Sequence, residues 1–184
     1  MPQTKAKSKF YLDSSVLIAW LTDETRPDNE MQGVYECFER IEKGDAIGVV
    51  ASVIWSELIL DNYDAEKVER FKTLLSGRRV QEVGVDTRIG RLSGELRRYY
   101  IEKHEQDNQG RLTSLDSLHL ATAIHYQLDA FYTFDDGKKP NREDGGKSRS
   151  RSLLSLSGKV GGHDLTVCKP PYTHMKLALG GIND

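Results

Sequence analysis

One stretch narrows the choice of fold more than any other. Residues Ser114 to Asp136 read as an amphipathic helix that runs directly into a short buried strand. One carboxylate, Asp116, stands in the helix's first turn, and another, Asp135, stands where the strand ends. Leu115, Leu118, Ala121, Ala123, Ile124 and Leu128 recur at helical spacing. Ala121 and Ala123 are small enough to let this helix pack closely on a neighbour. Ala130-Phe-Tyr-Thr-Phe134 then turns β-branched and aromatic, the composition of a strand. In a parallel α/β fold Asp135 therefore lies at a strand's carboxyl end, the edge where ligands and chemistry collect.

The rest of the chain repeats that grammar. Phe10-Tyr-Leu12 is a short apolar strand ending at Asp13, and Val16 to Leu21 is an inward-facing helix. Asp13 or Ser14 could serve simply as that helix's N-cap. A second helix is predicted over Asn29 to Lys43, with Met31, Val34, Tyr35, Phe38 and Ile41 inward and Gly44 closing it. Ala46 to Ala51 is a nearly continuous apolar run, the pattern of a strand covered on both faces. Helices are expected over Val53–Leu60, Asp64–Leu75 and Thr87–His104, the last with Ile89, Leu92, Leu96 and Tyr99 inward. Strands are expected over Val80–Val85 and Leu165–Cys168, the latter stopped by Pro170-Pro171.

At 184 residues the chain is expected to form a single domain. Residues 137 to about 162 interrupt it with a polar, glycine-containing and basic insertion, expected to be mobile because it has little apolar area to bury. Such an insertion could hold RNA by phosphate contacts or be a solubilising excursion. The formal net charge of −2 rules out a global basic field, so any nucleic-acid footprint must be local. Cys37 and Cys168 stand far apart with no C-x-x-C, which argues against a disulfide scaffold or zinc site and fits a reducing compartment. The basic start from Met1 to Lys9 lacks the apolar run of a signal peptide, because Asp13 breaks it. No stretch approaches about 18 apolar residues, so the expected setting is the cytoplasm, with no membrane partner.

The acidic residues carry the functional signal, though each has a dull explanation alone. A Thr113-x-x-Asp116 capping box accounts for Asp116 locally. Glu57 inside a helix is ordinarily a solvated side chain, yet it interrupts an apolar surface of Val53, Ile54, Leu58 and Leu60. Their order is harder to dismiss. Asp13 ends the first strand, Glu57 opens the helix after the second, Asp116 starts a late helix and Asp135 ends the following strand. In a parallel sheet, strand ends and the starts of the next helices share one edge, so the four converge on one cleft. Nearby anions need protons or cations between them, and oxygen-only ligands favour Mg²⁺ or Mn²⁺. Such ions suit phosphodiester hydrolysis without a nucleophilic Ser or Cys. H-E-x-x-H, G-x-S-x-G and P-loop patterns are all missing from the sequence.

Tyr11-Leu-Asp13-Ser-Ser15-Val-Leu-Ile18, Ser52-Val-Ile-Trp-Ser-Glu57-Leu58, Ser114-Leu-Asp116-Ser-Leu-His-Leu-Ala121 and Tyr132-Thr-Phe-Asp135 together resemble the PIN-domain ribonucleases, of the VapC-like kind found as toxins in type II toxin–antitoxin pairs. The likeness covers about residues 9 to 136 and extends to the last strand near 165–168. It implies a three-layer α/β/α sandwich around a parallel sheet, and a divalent-metal endoribonuclease acting on RNA phosphodiesters. By position it makes Asp13, Glu57, Asp116 and Asp135 the catalytic and metal-holding acids. Ser15 becomes the hydroxyl that orients the first carboxylate or a water, and Thr133 the hydroxyl before the last acid. Asp136 competes for the fourth acid; the Thr-x-Asp spacing favours Asp135. The resemblance further implies a cognate antitoxin protein and, by analogy, a homodimer. His119, one turn beyond Asp116, reads as a packed or supporting histidine rather than a ligand. The alternative is a PIN-like scaffold that holds RNA or protein without cutting. An Asp-nucleophile phosphatase is disfavoured because Asp13-Ser-Ser15 lacks a second acid.

Overall fold

The computed structural model describes residues 7–60, 65–77, 79–107, 109–137 and 150–172. Their order is β1 (Ser8–Leu12), α1 (Ser14–Thr22), α2 (Glu30–Lys43), β2 (Ala46–Ala51), α3 (Ile54–Leu60), α4 (Ala65–Ser76), β3 (Val80–Val83), α5 (Thr87–Asp107), α6 (Ser114–His125) and β4 (Ala130–Tyr132). After the loop come a short 3₁₀ turn (Leu154–Leu156), β5 (Gly158–Val160), β6 (His163–Leu165) and β7 (Val167–Cys168).

Five strands form one sheet in the order β3-β2-β1-β4-β7, and every pair in it is parallel. The side chains of β1 alternate across it, as strand periodicity requires. Phe10 and Leu12 join Val16, Val34, Phe38, Ile54 and Phe71 in a core under α1 to α4. Tyr11 faces the other way, with Val49, Ile89, Leu96, Leu120 and Phe131 under α5 and α6. Two apolar cores, one on each face of a parallel sheet, make the α/β/α sandwich expected from the sequence. Successive strands run from β1 outward to β3, then resume with β4 on β1's opposite side. The order therefore reverses between β1 and β4, which opens a crevice at their carboxyl ends.

Several local expectations shift. Tyr99 is exposed and its neighbour Tyr100 is buried instead, because the inward positions of α5 follow Ile89, Leu96 and Tyr100. The Tyr100 hydroxyl accepts the Gly161 N–H at 3.0 Å. Tyr35 lies at 41% exposure rather than in the core of α2, whose close falls at Gly44 with φ 77°. The strand expected over Ala130–Phe134 stops at Tyr132, where its pairing with Leu12 of β1 and Cys168 of β7 ends.

The basic insertion divides. Residues 138–149 lie outside the described residues, as does the expected tail from 173 onward. Residues 150–162, by contrast, dock on the core: Ser150 bridges Arg111, and Leu153, Leu156 and Val160 are buried. Arg151, 2% exposed, is held by Asp107 through two nitrogens at 3.0 Å, by Gln109 Oε1 at 3.0 Å and by the Gly110 carbonyl at 2.9 Å. The β5–β6 hairpin turns at Gly161-Gly162, both at positive φ (56° and 92°). That dipeptide is a hairpin signal that phosphate-loop spacing alone does not detect.

Candidate active site

Asp13 is the first residue past β1, and its backbone N–H still donates to the Tyr132 carbonyl of β4. It occupies the N-cap position of α1 without capping it: its side chain bonds no helix amide. Instead Oδ2 accepts the Ser15 hydroxyl at 2.7 Å and the Thr133 hydroxyl at 2.8 Å. The same two hydroxyls accept backbone donors from the end of β4, Phe134 N–H to Ser15 Oγ and Asp135 N–H to Thr133 Oγ1, each at 3.0 Å. A carboxylate at 4% exposure is thus fixed by two strands and one helix start.

Asp116 does both of the things its position allows. The Thr113 side chain accepts the Asp116 N–H at 3.1 Å, and Asp116 Oδ2 accepts the Thr113 N–H at 3.3 Å, a complete capping box. Its carboxyl is nevertheless pushed above the ordinary carboxylate range by burial; the Thr113 bond pulls it back, while the fields of Asp13 and Asp135 add to the rise. Asp135 is likewise raised, first by burial, against the Gly137 N–H that lowers it, and again by Asp13. Asp13, Asp116 and Asp135 therefore meet in one crevice, close enough to oppose one another's ionisation. Asp136, the competing fourth acid, is exposed.

The outer edge of Asp135 is built by the docked return of the chain. The Gly137 N–H donates to Asp135 Oδ1 at 2.9 Å, and the Asp135 carbonyl accepts the Ser152 hydroxyl and the Leu154 N–H. Gly137 sits at φ 77° with Ser152 so near that a Cβ would meet it at 3.0 Å. Glycine is the residue this turn admits.

Glu57 stands on α3 and joins the group by another route. Its Oε2 lies 2.7 Å from His119 Nε2, and His119 Nδ1 lies 2.5 Å from the Tyr11 hydroxyl. His119 and Tyr11 are both fully buried. Burial depresses the His119 pKa, but the Glu57 bond and the fields of Asp13, Glu57 and Asp116 outweigh it and leave the ring above its ordinary value. The structure so brings all four acids, with Ser15 and Thr133, to the carboxyl edge of β1, β2 and β4. Tyr11 was not legible as part of this site; a tyrosine inside an otherwise apolar strand, whose hydroxyl must find a partner, was the available signal.

A model of the PIN domain matches residues 10–139. The chain belongs to the PIN domain family. Among solved structures this PIN-domain chain is similar to VapBC2 from Rickettsia felis, bound to a DNA fragment from its promoter, at 16% identity over 68% of this chain and 86% of that one, with a TM-score of 0.51. It is also similar to a toxin–antitoxin complex from Klebsiella pneumoniae at 19% identity, covering 67% of this chain and 83% of that one, TM-score 0.47. VapC20 of Mycobacterium tuberculosis, described as a toxin cleaving the sarcin–ricin loop, matches at 14% identity over 69% and 90% of the two chains, TM-score 0.45. At 16% identity the likeness to VapBC2 bears on the fold and on nothing finer. No curated protein sequence matches the chain.

Proposed function

We propose that this PIN-domain protein is a divalent-metal-dependent endoribonuclease of the VapC-like kind, acting in the cytoplasm and held in check by a cognate antitoxin. One observation carries the proposal: Asp13, Asp116 and Asp135 converge at the sheet's switch point, where burial and mutual repulsion lift the last two. A fold that tolerates such repulsion gains from a hard cation, and the donor atoms facing the crevice are carboxylate oxygens that suit Mg²⁺ or Mn²⁺. Among the described residues no three or more His, Cys, Asp or Glu side chains are grouped so as to hold a metal ion as they stand. The fit to the ion is one of donor chemistry alone, carboxylate oxygens for a hard cation.

In this reading Asp13, Glu57, Asp116 and Asp135 hold the ion, which when bound polarises a phosphoryl oxygen and acidifies water. Ser15 and Thr133 both hold Asp13 through Oδ2, which leaves Oδ1 outside their grip. The VapC-like assignment rests on the acid motifs and is supported by family membership and by the likeness in fold to VapBC2. Among the described residues no helix is long and apolar enough to cross a membrane. A homodimer is part of the same proposal, by analogy alone.

The test is purified protein on single-stranded RNA with Mn²⁺, with EDTA, and as Asp13→Asn. Cleavage that needs Mn²⁺ and disappears in the variant is expected. Cleavage surviving both EDTA and the substitution overturns the metal mechanism; RNA binding without any cleavage makes the chain a non-catalytic PIN scaffold.

A further inference from the structure

Tyr11 and His119 are fully buried polar groups that the acid set alone does not explain. A buried hydroxyl or imidazole is costly unless every polar atom is satisfied. Here each is. β1 ends its pairing with β2 at Tyr11–Val49, short of Ala51, the last residue of β2. The Tyr11 hydroxyl accepts the Ala51 N–H at 2.9 Å. The Glu57 carboxylate can only accept, so a neutral His119 ring keeps its proton on Nε2, and Nδ1 accepts the Tyr11 hydroxyl proton across 2.5 Å. Nε2 then carries the proton that Glu57 Oε2 receives at 2.7 Å. A cationic ring keeps the same Nε2–H donor. In both states Glu57 is the acceptor at the end of a line that begins in the backbone of β2. The rings of Tyr11 and Phe131 stack, 4.9 Å between centroids and 6° between planes, which fixes the first link sideways.

We infer that His119 is a positioning residue: anchored by Tyr11, it holds Glu57 by one carboxylate oxygen and leaves the other for a divalent cation. The inference rests on the metal-dependent reading above. Glu57 needs such a support more than the other acids do. Asp13 is gripped by two hydroxyls and Asp116 by its own cap, whereas Glu57 projects from α3 on a longer, freer side chain. Partners that hold metal ligands through their unligated atoms typically contribute about 10- to 100-fold in metal affinity.

Mn²⁺ affinity is measured by calorimetry on the full chain, alongside thermal midpoint and the separate kcat and KM for RNA. Glutamine places an amide nitrogen near Nε2 of the ring it replaces; asparagine places one near Nδ1. His119→Gln is therefore expected to bind Mn²⁺ within about 3-fold of the parent, while His119→Asn loses about 10- to 100-fold. In the His119→Asn variant kcat falls and KM for RNA stays unchanged. Tyr11→Phe shows a smaller loss in the same direction. In a Glu57→Gln background, His119→Asn adds no further loss, because its effect passes through Glu57. A loss that is the same with and without Glu57, or no loss at all, overturns the positioning role while leaving the nuclease reading intact. If His119→Asn does not fold, the Tyr11→Phe and Glu57→Gln pair completes the same cycle. A parent protein that binds no Mn²⁺ overturns this inference together with the reading beneath it.

Discussion

Asp107 and Asp116 stand nine positions apart, on either side of one short connection, and the protein shifts them in opposite directions. Asp107 is held below the ordinary carboxylate range by its paired bonds to the Arg151 guanidinium. Asp116 is raised by burial and by Asp13 and Asp135. Asp107 faces a cation the chain provides; Asp116 faces the anions Asp13 and Asp135. The contrast separates an ion pair that fastens a segment from a crevice that stores repulsion. Stored repulsion is what a site for an external cation looks like from the protein's side.

The largest expected effect breaks the crevice. Asp13→Asn or Asp116→Asn lowers RNA turnover by about 100-fold or more, read as single-turnover rates in Mn²⁺, with circular dichroism unchanged. Next come the hydroxyls. Ser15→Ala and Thr133→Val each remove one donor from Asp13 and are expected to cost about 10- to 100-fold in turnover. A variant that cuts at the parent rate shows that Asp13 needs no such grip.

The clamp responds in stability instead. Arg151→Met leaves Asp107 without its partner and frees the return of the chain, lowering the thermal midpoint by roughly 5–10 °C. Smaller still, and opposite in sign, Asp116→Asn raises the midpoint of metal-free protein by a few degrees, because repulsion falls. A lower midpoint there would mean that the capping box outweighs the crowding.

The pH dependence sharpens the same contrast. The folded pKa of Asp107 lies below the usual 3.8, so its contribution is complete above that value and is lost as pH falls through the folded pKa. Asp116 and Asp135 lie above 3.8 when folded, so they bind protons more tightly folded than unfolded. Their destabilisation is present above the folded values and fades as pH drops through them toward 3.8. Denaturant titrations of metal-free protein are expected to show that gain on mild acidification, reduced in Asp116→Asn, followed by a loss at lower pH that is smaller in Arg151→Met, where only carboxylates such as Asp86 still contribute.

The sandwich was legible because strand and helix periods write burial directly into the sequence: Phe10 and Leu12 to one face, Tyr11 to the other. The convergence of the acids was legible for a topological reason, since parallel strands deliver every Asp after a strand to one edge. What the sequence withheld depends on distance across the fold. Arg151 looked like one more cation in a basic run, and only the docking of residues 150–156 on α5 shows it buried. The capping explanation was equally available for Asp13 and Asp116; the structure realises it in one and not the other, because Ser15 and Thr133 capture Asp13 first. At α5 the helical period through Ile89, Ser93, Leu96 and Tyr100 already placed Tyr100 rather than Tyr99 inward, and the bond to Gly161 adds to it.

The measurement that bears most directly on the crevice is thermal unfolding of metal-free protein titrated with Mn²⁺, run beside Asp13→Asn. The parent midpoint is expected to climb steadily with Mn²⁺ concentration, as for any ligand that binds the folded state alone, while the variant's stays flat. A parent that does not respond, or a variant that climbs equally, would contradict a cation held between these acids.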